Sequence, residues 1–312
     1  MNYSTWAEWY DVIYSLAPAG EVDFYVRLAK HAARAHPEPV EARPARVLEL
    51  GIGTGRIALP TVLAGANVTG IDLYAPMLDR AAAKARDSAL TVLRTTCKLQ
   101  AGADTSTASY AAHATHPATR RASTSSRWRV AHHQGVGPAT LELIQADMRT
   151  LDLGRMFDLV TIPSNTLLLA ASRTDQLATL KRATAHVASG GRLAFDIFNP
   201  TSELLSSRSE GPFLWGETVN PAGGRRCRIF AINRFDTRRQ LNRGTQIVEE
   251  LDHRGRAARR VELDILVRYL HPSEAHLLIE RAGLRALEMA GDFDRSPFAE
   301  SSPRMVFMCE RR

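Results

Sequence analysis

Cysteine is scarce in this chain: Cys97, Cys227 and Cys309 stand far apart among 312 residues. An odd, scattered set of three makes neither a disulfide framework nor a metal site of recognisable spacing, so a reducing, cytoplasmic setting is expected. Long apolar runs are missing too. Nowhere do eighteen apolar residues stand together, which argues against a membrane-spanning helix. The opening Met-Asn-Tyr-Ser-Thr-Trp-Ala-Glu-Trp-Tyr has no basic region leading into an apolar core, so no signal peptide and no membrane partner are expected. No internal repeat is evident. Four histidines, His113, His116, His132 and His133, lie close together, but no second ligand cluster accompanies them, and surface histidines without metal are the expectation.

What the chain does have is apolar content of 45%, enough for a large core in one domain with insertions or in two small ones. Its net charge is +7, and residues 91–139 carry much of it: Arg94, Lys98, Arg120, Arg121, Arg127 and Arg129 oppose Asp104 alone. A solvated surface is the favoured reading of that segment, with a polyanion contact as the alternative. Ser, Thr, Ala and His clusters without a sustained period mark 91–139 as a long low-complexity basic insertion, mobile or partly disordered.

The most informative stretch is Arg46 to Asp72. Val47, Leu48 and Leu50 form a short apolar run, then Gly51, Gly53 and Gly55 fall on alternate positions before a helical pattern begins. That order reads as strand, glycine-rich turn and helix. Such glycines let the backbone approach a ligand closely, with free helix N–H groups aimed at it. A second apolar run, Val68 to Ile71, ends at Asp72, where a carboxylate can accept the hydroxyls of a ribose. Gly53-Thr-Gly55-Arg-Ile-Ala58 loosely satisfies the nicotinamide fingerprint. Glu49 opposes that reading, because its charge would sit beside a pyrophosphate; a cofactor with an ammonium and a sulfonium suits it.

In chain order, residues 5–35 read as helices broken at Pro18-Ala-Gly20. The pattern then gives a helix from Pro76 to about Arg86, strands at Leu141–Ala146 and Phe157–Ile162, and a helix over Leu177–Val187 stopped by Ser189-Gly190-Gly191. Arg192–Phe198 is a fifth strand. Strands alternating with helices mean a parallel sheet covered on both faces. From about 201 to 267 the period becomes two, with strands at Arg228–Phe235, Gln246–Leu251 and Val261–Tyr269 and turns at Pro221–Gly224, Asn242–Gly244 and His253–Gly255. This is a late antiparallel insertion. A helix from Pro272 to Ala282 and strands at Leu284–Met289 and Met305–Cys309 complete the expectation. The fold class is α/β: a doubly wound, mostly parallel seven-stranded Rossmann-like sheet carrying that insertion.

Glu49-x-Gly51-x-Gly53-x-Gly55 with Asp72 resembles the first two motifs of the class I S-adenosylmethionine-dependent methyltransferases. Tyr10-Asp11-Val-Ile-Tyr14, Ala146-Asp147-Met148-Arg149 and Tyr269-Leu270-His271 are similar to segments of the small-molecule branch, such as the antibiotic amino-sugar N,N-dimethyltransferases. The resemblance spans nearly the whole chain outside 91–139, and the long basic insertion departs from it. It implies a helical lid at 1–45, a methyltransferase core at 46–200 and 268–312, and an insertion at 201–267 over the active site. S-adenosylmethionine would meet Tyr10, Tyr14, Glu49, Gly51, Gly53, Gly55, Arg56, Asp72, Leu73, Met77, Asp147, Met148 and Ser164. Asp147 would take the adenine amino group and Met148 would line the ring. Asn165, Phe213, Trp215 and Tyr269 would meet a small-molecule acceptor, in a site expected to hold no metal; His271 and Tyr14 are the candidate bases, followed by Asp292. The tip Ile162-Pro163-Ser164-Asn165 lacks the runs that mark nucleic-acid, protein-arginine and metal-dependent catechol enzymes. An RNA or protein methyltransferase, a nicotinamide oxidoreductase and a non-catalytic binding module stay open, as do N-, O- or C-methylation of the acceptor and a homodimer.

Overall fold

The computed structural model describes residues 3–34, 43–88, 91–98, 124–132, 139–206 and 211–312. The chain runs through α1 (Tyr3–Ile13), a 3-10 turn (Tyr14–Leu16), α2 (Glu21–Arg34), β1 (Arg46–Leu50), α3 (Ala58–Leu63), β2 (Asn67–Asp72) and α4 (Ala75–Asp87). Next come β3 (Thr91–Lys98), β4 (Thr124–His132), β5 (Ala139–Gln145), β6 (Phe157–Ile162), a 3-10 turn (Thr166–Leu169), α5 (Arg173–Ala185) and β7 (Val187–Phe198). After α6 (Ser202–Ser206) follow β8 (Phe213–Val219), β9 (Arg226–Asp236), β10 (Leu241–Leu251), β11 (Ala257–Arg268), α7 (Pro272–Arg281), β12 (Leu284–Ala290) and β13 (Arg304–Arg311).

The main sheet has the order β12-β13-β7-β6-β1-β2-β5-β4-β3. Its seven-stranded core, β12 to β5, is parallel except for β13, which pairs antiparallel with both neighbours. Alternation along β1 shows why both faces are covered. Val47 joins the apolar cluster with α2, α3 and α4, whereas Leu48 and Leu50 join the one with α5 and α7. A strand buried on both sides reads as a near-continuous apolar run, so a carboxylate inside one, such as Glu49 or Asp196, stands out.

Beyond the expected seven strands the structure adds two. β3 and β4, the ends of the 91–139 insertion, pair with each other and extend the sheet past β5. The expectation of an unpatterned insertion is therefore corrected at those ends: Thr91-Val-Leu and Arg129-Val are β-prone residues beside the edge that β5 would otherwise expose. The remainder of that insertion, with His113, His116, His133, Arg120 and Arg121, lies outside the described residues.

The second sheet, β11-β10-β9-β8, is antiparallel throughout. Its first strand, β8, escaped the sequence reading, and a bulge at Trp215 between Leu214 and Gly216 interrupts its alternation. The expected turn at Asn242–Gly244 is instead the interior of β10; the chain reverses at residues 237–240, where Gln240 takes φ +55°. Gly244 serves packing, since a Cβ there would come within 2.9 Å of Ile265 Cγ2. The fifth parallel strand also begins earlier than expected, at Val187, with Gly190 and Gly191 absorbed where the register against β6 shifts. Cys227, Ile229, Val248 and Leu263 on the inner face of this sheet pack against Trp6, Trp9, Val12 and Ile13 of α1. Buried Arg268 ties it to the core by hydrogen bonds to Gln176 (2.8 Å), Gln240 (2.9 Å) and Glu274 (2.8 Å).

Candidate active site

The sheet order reverses at β1, which has β2 on one side and β6 on the other. In an open α/β sheet the crevice beyond the carboxyl ends of such strands is where ligands sit. Three turns meet there: the glycine loop after β1, the turn after β2, and the Pro163–Asn165 tip after β6. Gly51 and Gly53 have φ of +69° and +55°, and a Cβ on them would stand 2.4 Å from Thr166 Cγ2 and 3.2 Å from Tyr10 Cζ. Glycine is required at both by backbone conformation and by close approach.

Asp72 anchors the loop. Gly53 N–H donates to its Oδ2 and Tyr74 N–H to its Oδ1, each at 2.9 Å. Burial raises its pKa, and the backbone donors of Tyr74, Gly53 and Leu73 work against that rise. Its two oxygens offer about four lone-pair sites, more than these three donors fill, so an incoming hydroxyl can be accepted. Glu49 is buried, 2% exposed, and among the described residues nothing donates a hydrogen bond to its carboxyl. Burial pushes its pKa up to about 8, with nearby Arg56 opposing and Glu21 reinforcing the rise. A bare buried carboxyl of this kind is costly unless a cation comes to meet it.

A second set of polar groups lies between the glycine loop and the β6 tip. Arg56 Nη2 donates to Glu21 Oε2 and to Ser164 Oγ, both at 2.7 Å, and Ser164 Oγ donates to Glu21 Oε1 at 2.5 Å. Ser164 N–H donates to Asp196 Oδ1 at 2.8 Å, an atom that also accepts from Tyr25 Oη at 2.7 Å. Arg304 stands 3.6 Å from the other oxygen of Asp196 and 3.0 Å from Asp292. Burial raises the pKa of Asp196 to about 6, reinforced by Glu21. Ser164 and Asn165 both take left-handed backbone, φ +59° and +61°. Asp196 holds the first in place, and Asn165 Oδ1, accepting from Phe198 N–H at 2.6 Å, holds the second. Consecutive strained residues at the tip of a site-forming strand are a functional signal.

The N-terminal helices cover this crevice. Tyr10 lies on Gly53 and stacks on Tyr14 at 4.2 Å between centroids, and the Arg56 guanidinium is 5.3 Å from the Tyr14 ring centre. Burial raises both tyrosine pKa values, that of Tyr14 to about 12. Asp11 accepts from Thr54 Oγ1 at 2.6 Å and from Lys84 Nζ at 2.8 Å.

Thus Tyr10, Tyr14, Glu49, Gly51, Gly53, Gly55, Arg56, Asp72 and Ser164 converge. Others lie further out. Leu73 is exposed, and Met77 is buried among α1 side chains. Asp147, after β5, is held by Arg149 through Nε (3.0 Å) and Nη2 (2.6 Å); burial alone would raise its pKa, but these bonds lower it. Met148 packs against the core. Phe213 and Trp215 are exposed on β8. Tyr269 is fully buried among Phe198, Phe235 and His271, and its hydroxyl has no hydrogen-bond partner among the described residues. His271 is exposed at the start of α7, its ring edge-on to Tyr269 at 5.7 Å. Asp292 pairs with Arg304. Glu21, Tyr25, Asp196 and Arg304 were missed by sequence reasoning. The one available signal was a carboxylate inside the apolar run Leu193-Ala-Phe-Asp196-Ile-Phe198.

Comparison with known proteins adds independent findings. Residues 47–135 match the family model of a methyltransferase domain. No curated protein matches the chain by sequence. Among solved structures, the CcbJ methyltransferase from Streptomyces caelestis superposes with a TM-score of 0.62 at 22% identity, covering 95% of this chain and 97% of that one. An S-adenosylmethionine-dependent methyltransferase from Clostridium acetobutylicum gives 0.67 at 15% identity, covering 99% and 98%. An amino pentose methyltransferase from Micromonospora echinaspora, involved in calicheamicin biosynthesis and solved with S-adenosylmethionine bound, gives 0.61 at 19%, covering 97% and 96%. At such identities the likeness establishes the fold. Among the described residues, no helix is long and apolar enough to cross a membrane.

Proposed function

We propose that this chain, which carries a methyltransferase domain, is an S-adenosylmethionine-dependent methyltransferase acting on a small-molecule acceptor. The observation that carries the reading is Glu49: a buried carboxyl at the tip of β1 with no donor turned towards it. An ammonium fits that place and a pyrophosphate is repelled from it. The remaining groups suit the same cofactor. Asp72 would hold the ribose hydroxyls with its spare lone pairs, and the glycine loop would admit the methionine end. Tyr10 and Tyr14 would exclude water from above, and Asp147 with Met148 would border the adenine. When bound, the cofactor supplies a methyl group already activated on a sulfonium.

The protein therefore has to supply position more than covalent chemistry. Holding a nucleophile in line with the methyl carbon contributes roughly 7 kcal/mol or more. The two-point fixation of Ser164 and Asn165 serves such positioning at the β6 tip. The helices of residues 3–34 and the sheet of β8 to β11 supply the acceptor's surroundings; exposed Phe213 and Trp215 are candidates for its walls, whereas Tyr269 is fully buried and is not. Two of the structural neighbours are an amino pentose methyltransferase involved in calicheamicin biosynthesis and a sugar N-methyltransferase, which supports a natural-product acceptor.

The test is calorimetric titration with S-adenosylmethionine and S-adenosylhomocysteine, alongside NADH, with Asp72→Ala as control. Micromolar binding of the first two, lost in Asp72→Ala, is expected. Binding of NADH alone would replace this reading with a nicotinamide one.

A further inference from the structure

Ser164 Oγ is already engaged twice: it accepts from Arg56 Nη2 at 2.7 Å and donates to Glu21 Oε1 at 2.5 Å. A hydroxyl has one proton and two lone pairs, so one acceptor position remains. The residue is only half-buried, and it sits at the β6 tip across from the glycine loop. Glu21 behind it is 2% exposed and salt-bridged to Arg56 at 2.7 Å. Among the described residues its like-charged neighbours in the network are Glu49 and Asp196. A half-exposed hydroxyl backed by a buried carboxylate is a path for a proton rather than a structural filler, and the strain at φ +59° is what aims it.

We propose that Ser164 and Glu21 form the proton exit of the reaction centre, with Ser164 as a catalytic residue that receives the acceptor's N–H or O–H and Glu21 as the sink behind it. The inference rests on the methyltransferase reading above. As the nucleophile's lone pair forms its new bond to the methyl carbon, the carbon–sulfur bond breaks with its electron pair left on sulfur, and the electron pair of the nucleophile's N–H or O–H bond stays with the nucleophile. The released proton moves to Ser164 Oγ, the serine's own proton moves to Glu21 Oε1, and the carboxylate becomes a carboxylic acid. Glu21 returns that proton to water before the next turnover. Arg56, hydrogen-bonded to both groups, fixes their relative position, and Asp196 with Arg304 lies beside them.

Sinefungin tests this without an identified acceptor, because it carries an ammonium where S-adenosylmethionine carries the sulfonium methyl. In the wild type that ammonium donates to the free position on Ser164, so sinefungin binds at least tenfold more tightly than S-adenosylhomocysteine by calorimetry. Ser164→Gly removes the hydroxyl while suiting the left-handed backbone, and Glu21→Gln keeps the hydrogen-bonding shape without the charge. Both are expected to erase most of the tenfold preference, read as the ratio of the two affinities within each variant. Equal weakening of both ligands would show a merely structural role and overturn the proposal, as would an unchanged preference. Failure of the wild type to bind S-adenosylhomocysteine at all would instead sink the cofactor reading on which it rests.

Discussion

Cofactor binding is expected to release a proton, and Glu49 is the reason. In the free protein its carboxyl is buried without a donor, and burial pushes its pKa up to about 8. An ammonium binds the carboxylate form, so at lower pH the proton must leave first. For a single group of this pKa, apparent affinity scales with the ionised fraction, roughly 1% at pH 6 and about half at pH 8. Binding should therefore tighten about fiftyfold over that interval, or ~2.3 kcal/mol at about 1.4 kcal/mol per tenfold change. The assay is titration with S-adenosylhomocysteine between pH 6 and 8, in two buffers of different ionisation enthalpy so that released protons are counted. Glu49→Gln is expected to give a flat profile. A flat wild-type profile, or net proton uptake near pH 7, would refute the assignment of Glu49 to the ammonium. Asp196, raised to about 6, titrates only at the lower edge, and Asp196→Asn separates its share.

The same carboxyl shapes the stability of the free protein. Folded Glu49 stays protonated between its ordinary value of 4.5 and about 8, where the unfolded chain is ionised, so the folded state binds more protons there and stability falls as pH rises. The melting temperature of ligand-free wild type should drop more from pH 5 to 8 than that of Glu49→Gln; equal drops would contradict the burial argument. Gly53→Ala puts a Cβ 3.2 Å from the Tyr10 ring at φ +55° and should cost about 1–3 kcal/mol, seen as a lower urea midpoint with weakened cofactor binding. Arg268→Met leaves Glu274 and Gln176 without their buried partner and should cost roughly 3 kcal/mol by urea unfolding, with cofactor affinity retained in the folded fraction. Exhaustive chelation should leave S-adenosylhomocysteine affinity unchanged; a loss restored by Mg²⁺ would overturn the expectation of a metal-free site.

The sequence by itself determined the parallel core and the glycine-loop side of the candidate site. Both are written in local patterns: an apolar run ending at Gly51, Gly53 and Gly55, a second ending at Asp72, and alternating helices and strands. Such signals survive because a buried parallel strand and a close-approach glycine each restrict the residue types at their own positions. The antiparallel insertion was legible in its period of two, although Asn242–Gly244 read as a turn because glycine's use as a space for Ile265 looks the same in sequence as its use in a reversal. Only the tertiary structure decided the second half of the site. Glu21, Arg56, Ser164 and Asp196 come from α2, the glycine loop, the β6 tip and β7, and the bonds joining Glu21 to Ser164 span 143 positions. No local pattern encodes such a contact, because each carboxylate is explained only by the donors that folding brings to it.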